Sequence, residues 1–252
     1  MSKCAVILVL AVGASVATAA NTEDFEAGTV GQMVSDLAGW SRWGGGDDPS
    51  TTVQLDPAAG ANKVMRQMNG GDVLWDAHGT FGPSSGTGDD FNTGWMHYQV
   101  DVYIAGNTIG DTDYSFEGRG STKVSLWHKI LTIRSDGDGT GAVQLDSTGW
   151  QDCEADVWCH LDLLVDIDGA TYQATWTYTP AGGGGAVVLT GSDTVTDGMP
   201  NNADAFATND IWQNTSHTVY YDNLSVDPIP EPATLGLFAA GAWLVLRRRR
   251  QA

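Results

Sequence analysis

The sequence predicts an all-β domain, a two-sheet antiparallel sandwich, and three observations carry that prediction. Glycine is abundant, 32 in 252 residues, with 8 prolines and only 17% charged residues, a composition against helical bundles and coiled coils. Apolar and polar residues alternate over several segments. No central window of eleven or more residues shows a stripe of period 3.6.

The alternation places the strands. In Leu161–Asp168 the residues Leu161, Leu163, Val165 and Ile167 share one face, and Asp162, Leu164, Asp166 and Asp168 the other. Tyr98, Val100, Val102 and Ile104 oppose Gln99, Asp101 and Tyr103. Tyr172, Ala174, Trp176 and Tyr178 oppose Gln173, Thr175, Thr177 and Thr179. Further strands are expected at Thr51–Leu55, Lys123–Arg134, Ala142–Leu145, Ala186–Thr190 and His217–Val226. Asp136-Gly137-Asp138-Gly139 and Asp168-Gly169 supply turns that tolerate positive φ. Ser192–Ser216 has no strand pattern and is expected to be a long loop.

Both ends read as addresses. Lys3 precedes an apolar run, Ala5–Ala17, and then Ala17-Thr18-Ala19, a small-x-small cleavage pattern. Residues 1–20 are therefore expected to be a signal peptide with its helix, and the run is short for a ~30 Å hydrocarbon core. At the other end Pro230-Glu231-Pro232 precedes an apolar stretch, Ala233–Leu246, and then Arg247, Arg248, Arg249 and Arg250. A membrane helix over 233–246 would span only about 21 Å, and the arginines would hold its end on the cytoplasmic side. The order of parts over 230–252 resembles the PEP-CTERM sorting tail. That resemblance implies export, transient residence in the inner membrane, recognition by an exosortase, and delivery to the envelope, outer surface or matrix of a Gram-negative bacterium. Signal peptidase is the second expected partner. The alternative is a plain tail anchor.

Charge excludes one class of function. Acids outnumber bases 31 to 12 over the chain, for a net charge of −19. Between Asn21 and Ile229 the count is 30 acids to 7 bases. Neutralising phosphates needs lysine and arginine, so a nucleic-acid binder is excluded. Cys153 and Cys159 are the two cysteines of this body. In an oxidising compartment they are expected to pair as a disulfide. His78, His97, His128, His160 and His217 are too scattered to complete a zinc set.

Three segments carry a second resemblance. Asp24-Phe25-Glu26-x-Gly28 with Gly39-Trp40, then Val157-Trp158-Cys159-His160-Leu161 with Val165-Asp166 and Tyr172, then Tyr220-Tyr221-Asp222-Asn223-Leu224-Ser225-Val226 together resemble jelly-roll carbohydrate-binding domains of the concanavalin A-like and laminin-G-like kind. The resemblance implies that fold for the ectodomain, 21–229. By position it also implies a structural Ca2+ where the first and last strands meet, held by Asp24 or Glu26 with Asp222. Asp136-x-Asp138 mimics the start of an EF-hand loop, but its twelfth position is Ser147, and a hairpin turn is the better reading.

Sugar recognition uses flat aromatic faces with neighbouring carboxylates or amides. Trp40, Trp43, Trp75, Trp127, Trp150 and Trp212 lie in polar or glycine-rich settings, whereas Trp176 belongs to a core face. Trp43, Trp75, Asp76 and His78 are the expected ligand residues. Catalysis finds less support. Glu154-x-Asp156 has two acids of a glucanase pattern and lacks the third. Gly82-Pro83-Ser84-Ser85-Gly86 matches a nucleophile motif without its strand and helix. The reading is an exported, non-catalytic carbohydrate-binding protein. A structural envelope or exopolysaccharide-matrix protein, or a cryptic polysaccharide hydrolase or lyase, are the alternatives.

Overall fold

Alternating side chains give each strand one face that water disfavours, and two such sheets bury those faces against each other. The computed structural model describes residues 21–42, 49–68, 72–76, 95–107, 109–120, 123–145, 149–166, 171–194, 205–213 and 217–229. Its strands are β1 (Asn21–Glu23), β2 (Trp40–Arg42), β3 (Thr51–Leu55), β4 (Lys63–Met68), β5 (Asp72–Asp76), β6 (Trp95–Ile104), β7 (Ile109–Gly120) and β8 (Lys123–Asp136). They continue as β9 (Thr140–Leu145), β10 (Gln151–Glu154), β11 (Trp158–Asp166), β12 (Thr171–Tyr178), β13 (Val187–Thr194), β14 (Ala205–Gln213) and β15 (Thr218–Ile229). The helical content of the described residues is one 3-10 turn, Val34–Asp36.

The eight-stranded sheet runs β13-β12-β11-β6-β15-β4-β3, with β1 also paired to β15. The seven-stranded sheet runs β10-β9-β8-β7-β14-β5-β2. All pairings between these strands are antiparallel. Between the sheets lies a core that includes Trp176, Tyr98, Tyr221, Phe25, Met65 and Ile104, all fully buried.

The expected all-β class and paired antiparallel sheets are observed. The loop expected over Ser192–Ser216 is corrected. β13 reaches Thr194, and β14 lies between β7 and β5. Its polar pair Asn209-Asp210 and a register shift between Ala205 and Thr208 break the period of two that would have marked it. The Asp136-Gly137-Asp138-Gly139 segment closes the β8–β9 hairpin, with Ser135 opposite Gly141. Asp138 accepts hydrogen bonds from the backbone and hydroxyl of Thr140, which hold its carboxyl below the usual range. The expected signal peptide (1–20), the membrane helix (233–246) and the Arg cluster lie outside the described residues. Among the described residues no helix is long and apolar enough to cross a membrane.

One corner joins the two sheets. The chain leaves the eight-stranded sheet after β6 and returns to it between β10 and β11, and the two crossings lie side by side. Asp156 adopts a left-handed backbone (φ 60°). Its amide donates to Ile104 O at 2.9 Å, and its Oδ1 accepts from Gly106 N at 3.0 Å. Gly139 N donates to Gly106 O at 3.1 Å, binding the β8–β9 turn into the same corner. A Cβ on Gly106 would sit 2.6 Å from Asp156 Oδ2 and 3.0 Å from both Ala155 Cβ and Gly139 Cα.

The disulfide is corrected too. Cys153 and Cys159 are free, buried thiols on either side of this crossing. Five residues of separation place one on each sheet, each packed in the common core. Burial pushes the Cys153 thiol up to about 12 and the Cys159 thiol higher still, so neither offers a thiolate.

Two outcomes follow. Gly106→Ala should destabilise the domain by about 1–3 kcal/mol, read as a fall of several degrees in Tm; an unchanged transition would contradict the packing of the corner. In unreduced protein, alkylation mapped by mass spectrometry should miss Cys153 and Cys159 in the native state and label both after denaturation. Two residues still unlabelled in denaturant would show a disulfide instead.

Candidate functional site

The outer face of the eight-stranded sheet collects polar and aromatic side chains by simple alternation. β6 turns Tyr98, Val100, Val102 and Ile104 into the core, leaving His97, Gln99, Asp101 and Tyr103 on the other face. β11 buries Cys159, Leu161 and Leu163, so Trp158, His160 and Asp162 join them. β15 buries Val219 and Tyr221 and presents Tyr220 and Asp222.

Register aligns these residues in rows. Arg66, Tyr220, Tyr103 and Trp158 are successive cross-strand partners. The next row is Asp222, Asp101 and His160, and the next Ser225, Gln99 and Asp162. A bulge between Asp222 and Ser225, with Asn223 at φ 50°, falls where the outer neighbour of β15 changes from β4 to β1.

The aromatic row packs edge to face. The Tyr103 and Trp158 rings are 5.5 Å apart at 61°, and the Tyr103 and Tyr220 rings 5.8 Å apart at 84°. Tyr103 is mostly buried between its neighbours, whereas Trp158 and Tyr220 are half-buried. Trp158 Nε1 donates to Asp56 Oδ1 at 3.1 Å. Asp56 follows β3, four interstrand spacings from β11, about 19 Å across a flat sheet. The sheet therefore curls toward this face and the turn after β3 leans over it. Tyr103 OH donates to Asp156 Oδ1 at 3.4 Å. Burial, then the charge of Asp156 and that hydrogen bond, push the phenol up to about 12.

Beside the aromatics runs a hydrogen-bonded chain. Asn223 Nδ2 donates to Asp101 Oδ2 at 2.8 Å, and His160 Nδ1 lies 2.7 Å from Asp101 Oδ1. Gln99 Nε2 donates to Asp162 Oδ2 at 3.2 Å and faces His160 Nε2 at 3.4 Å. Ser225 Oγ donates to Gln99 Oε1 at 3.3 Å, and His97 Nε2 lies 3.0 Å from Asp162 Oδ2. These partners assign the His160 proton to Nδ1, with Nε2 the acceptor. The result is a surface of fixed donors and acceptors next to aromatic rings.

The expected calcium residues meet at the bulge. Burial pushes the Asp222 carboxyl up to about 6, and the charges of Asp101, Asp24 and Glu26 add to this. Asp24 Oδ1 accepts from Glu26 N at 3.1 Å, Glu26 Oε1 from Lys63 N at 2.8 Å, and Asp222 Oδ1 from Asn223 N at 2.8 Å. Each carboxylate is thus turned to a backbone amide. Among the described residues no group of three or more carboxylates, imidazoles or thiols is arranged to hold a metal ion.

Of the expected sugar residues, Trp43 and His78 lie outside the described residues. Trp75 and Asp76 end β5 in the other sheet, where register sets Trp75 opposite Trp40. Trp40 is a core residue whose Nε1 donates to Glu23 Oε2 at 3.1 Å. Trp150 is exposed, with the Arg134 guanidinium 4.6 Å above its ring. Trp158 and Tyr220 entered the sequence reading only within the jelly-roll motifs and Tyr103 only as an outward strand residue, and none of the three was among the expected sugar residues. Their signal was available, since each alternates with core residues and so faces outward. The two acids of Glu154-x-Asp156 are engaged separately. Glu154 accepts from Ala181 N at 3.1 and 3.2 Å, and Asp156 holds the corner. The Gly82–Gly86 motif lies outside the described residues.

Several solved structures are similar to this chain. One is a GH131 β-glucanase catalytic domain from Podospora anserina, 12% identical over 81% of this chain and 98% of its own, at a TM-score of 0.46. Another is the CBM22-1 xylan-binding domain of Paenibacillus barcinonensis Xyn10C, 10% identical over 84% and 96%, at 0.42. A third is peanut lectin, 8% identical over 83% and 98%, at 0.46. Likeness at this level transfers neither a ligand nor a catalytic residue. No curated protein matches the sequence. Residues 228–250 match the PEP-CTERM protein-sorting motif, and that tail marks the chain as an exported protein directed to an exosortase.

Proposed function

We propose that the exported domain is a non-catalytic carbohydrate-binding module, and that its sugar-binding surface is the curled outer face of the eight-stranded sheet. The observation that carries this reading is the row Trp158–Tyr103–Tyr220 beneath Asp56. Aromatic faces stack on the C–H surfaces of pyranose rings, while the adjoining Asp101, Gln99, His160 and Asp162 offer fixed partners to hydroxyls. The carboxylates sit in hydrogen bonds to neighbouring side chains, an arrangement suited to recognition rather than to proton transfer. Delivery by the sorting tail would set such a module in the envelope or the surrounding matrix. The set Trp43, Trp75, Asp76 and His78 is a second proposed locus, of which Trp75 and Asp76 lie on β5 of the other sheet.

Trp158→Ala and Tyr220→Ala should each weaken retention on an insoluble neutral polysaccharide by about tenfold or more, near the 1–3 kcal/mol scale of aromatic stacking. Pull-down below the Tm of every variant checks this. If Trp75→Ala abolishes binding while Trp158→Ala does not, the second locus is the site.

Calcium is proposed as the ion that would relieve the crowding around Asp222, should Asp24 and Glu26 rotate off their amides. Because the folded carboxyl titrates above its ordinary value, the folded state holds that proton more tightly than the unfolded chain. Ionisation therefore lowers stability as pH rises from about 4 to 6. Asp222→Asn should raise Tm relative to wild type at pH 7 in EDTA, and the difference should vanish near pH 4. Millimolar Ca2+ should raise the wild-type Tm more than that of Asp222→Asn; equal responses would remove the calcium tie.

A further inference from the structure

We infer that this face selects uncharged glycans and rejects polymers of uronic acids. The inference rests on the carbohydrate reading and concerns which sugars that reading admits. The row is walled by carboxylates. Asp56 stands at Trp158 and Asp156 at the Tyr103 hydroxyl. Asp101 and Asp222 are direct cross-strand partners one row away, with Asp162 beyond them on β11. Among the described residues the row itself contains one cation, Arg66, beside Tyr220, and its Nη2 lies 3.4 Å from Thr52 Oγ1. The other histidines and amides of the face are already paired to its acids.

Rows on a strand lie about 7 Å apart and strands about 4.8 Å apart. Both spacings fall within the Debye length of about 8 Å at physiological salt. A sugar acid seated on the rings therefore meets several carboxylates that mobile ions screen poorly. Burial chiefly, and after it the charges of Asp101, Asp24 and Glu26, oppose ionisation of the Asp222 carboxyl. A neutral sugar meets the same oxygens as acceptors for its hydroxyls, and such charge-assisted hydrogen bonds are the stronger kind. Like-charge juxtaposition acts chiefly on partner choice.

The test compares retention of the immobilised exported protein for neutral glucans and xylan with that for polygalacturonate and alginate, at low salt and at about 1 M NaCl. The expected result is binding to a neutral polymer, with uronate polymers at least about tenfold weaker at low salt and the gap narrowing at high salt. Uronate binding equal to or stronger than neutral binding would overturn the selectivity and leave the carbohydrate reading intact. Binding to none of these polymers would overturn the carbohydrate reading itself, and this inference with it.

Discussion

The fold and the proposed site depend on one carboxylate, Asp156. Its position in the left-handed region lets the chain turn from one sheet to the other in three residues. Its Oδ1 serves the backbone of Gly106 on the neighbouring crossing and the hydroxyl of Tyr103 on the outer face. The contact that joins the layers is therefore also the one that fixes the central ring of the aromatic row. Free thiols flank this corner, and its hydrogen bonds add to the buried core in setting the relative placement of the two sheets. Left-handed backbone at a non-glycine residue is costly, and it persists where surrounding bonds over-determine it.

The outer face shows how charge is accommodated in an acid-rich chain. Asp101 and Asp222 are paired across two strands, an arrangement that is unfavourable between bare like charges. The bulge in β15 moves Asn223 into reach of Asp101, and His160 donates from the other side. Asp162 is treated in the same way by Gln99 and His97. These partners hold the acids in place, and Asp56, Asp156 and Asp222 lie on or beside the same face. Those carboxylates make the face both a set of acceptors and an electrostatic filter.

Much of the architecture was legible in the sequence because its strands obey strict alternation. Tyr98–Ile104, Leu161–Val165 and Tyr172–Tyr178 carry the inward and outward faces that the structure shows for the residues it describes. β14 was not legible, because Asn209-Asp210 and a register shift interrupt its period. β4 and β7 are less regular still, with Lys63-Val64-Met65-Arg66 and a glycine-rich sequence in place of a two-residue repeat. The site was harder to see. Tryptophans in glycine-rich segments look exposed in a sequence, yet Trp40 is in the core. Trp158 sits among apolar residues in sequence and faces outward in the fold. Pairing across three strands that are distant in sequence assembles the aromatic row, and no local pattern encodes that pairing. The cysteines failed as a guide for the same reason, since their short separation hides a change of sheet.

The most direct measurement of the central claim is the indole N–H spectrum of 15N-labelled protein during titration with a neutral oligosaccharide. The Trp158 resonance, assigned by its loss in Trp158→Phe, is held by the bond to Asp56 and should report on a sugar stacked beside it. A saturable shift of that resonance is the predicted result. Saturable shifts confined to other indoles, with Trp158 unmoved, would contradict the assignment of the binding face.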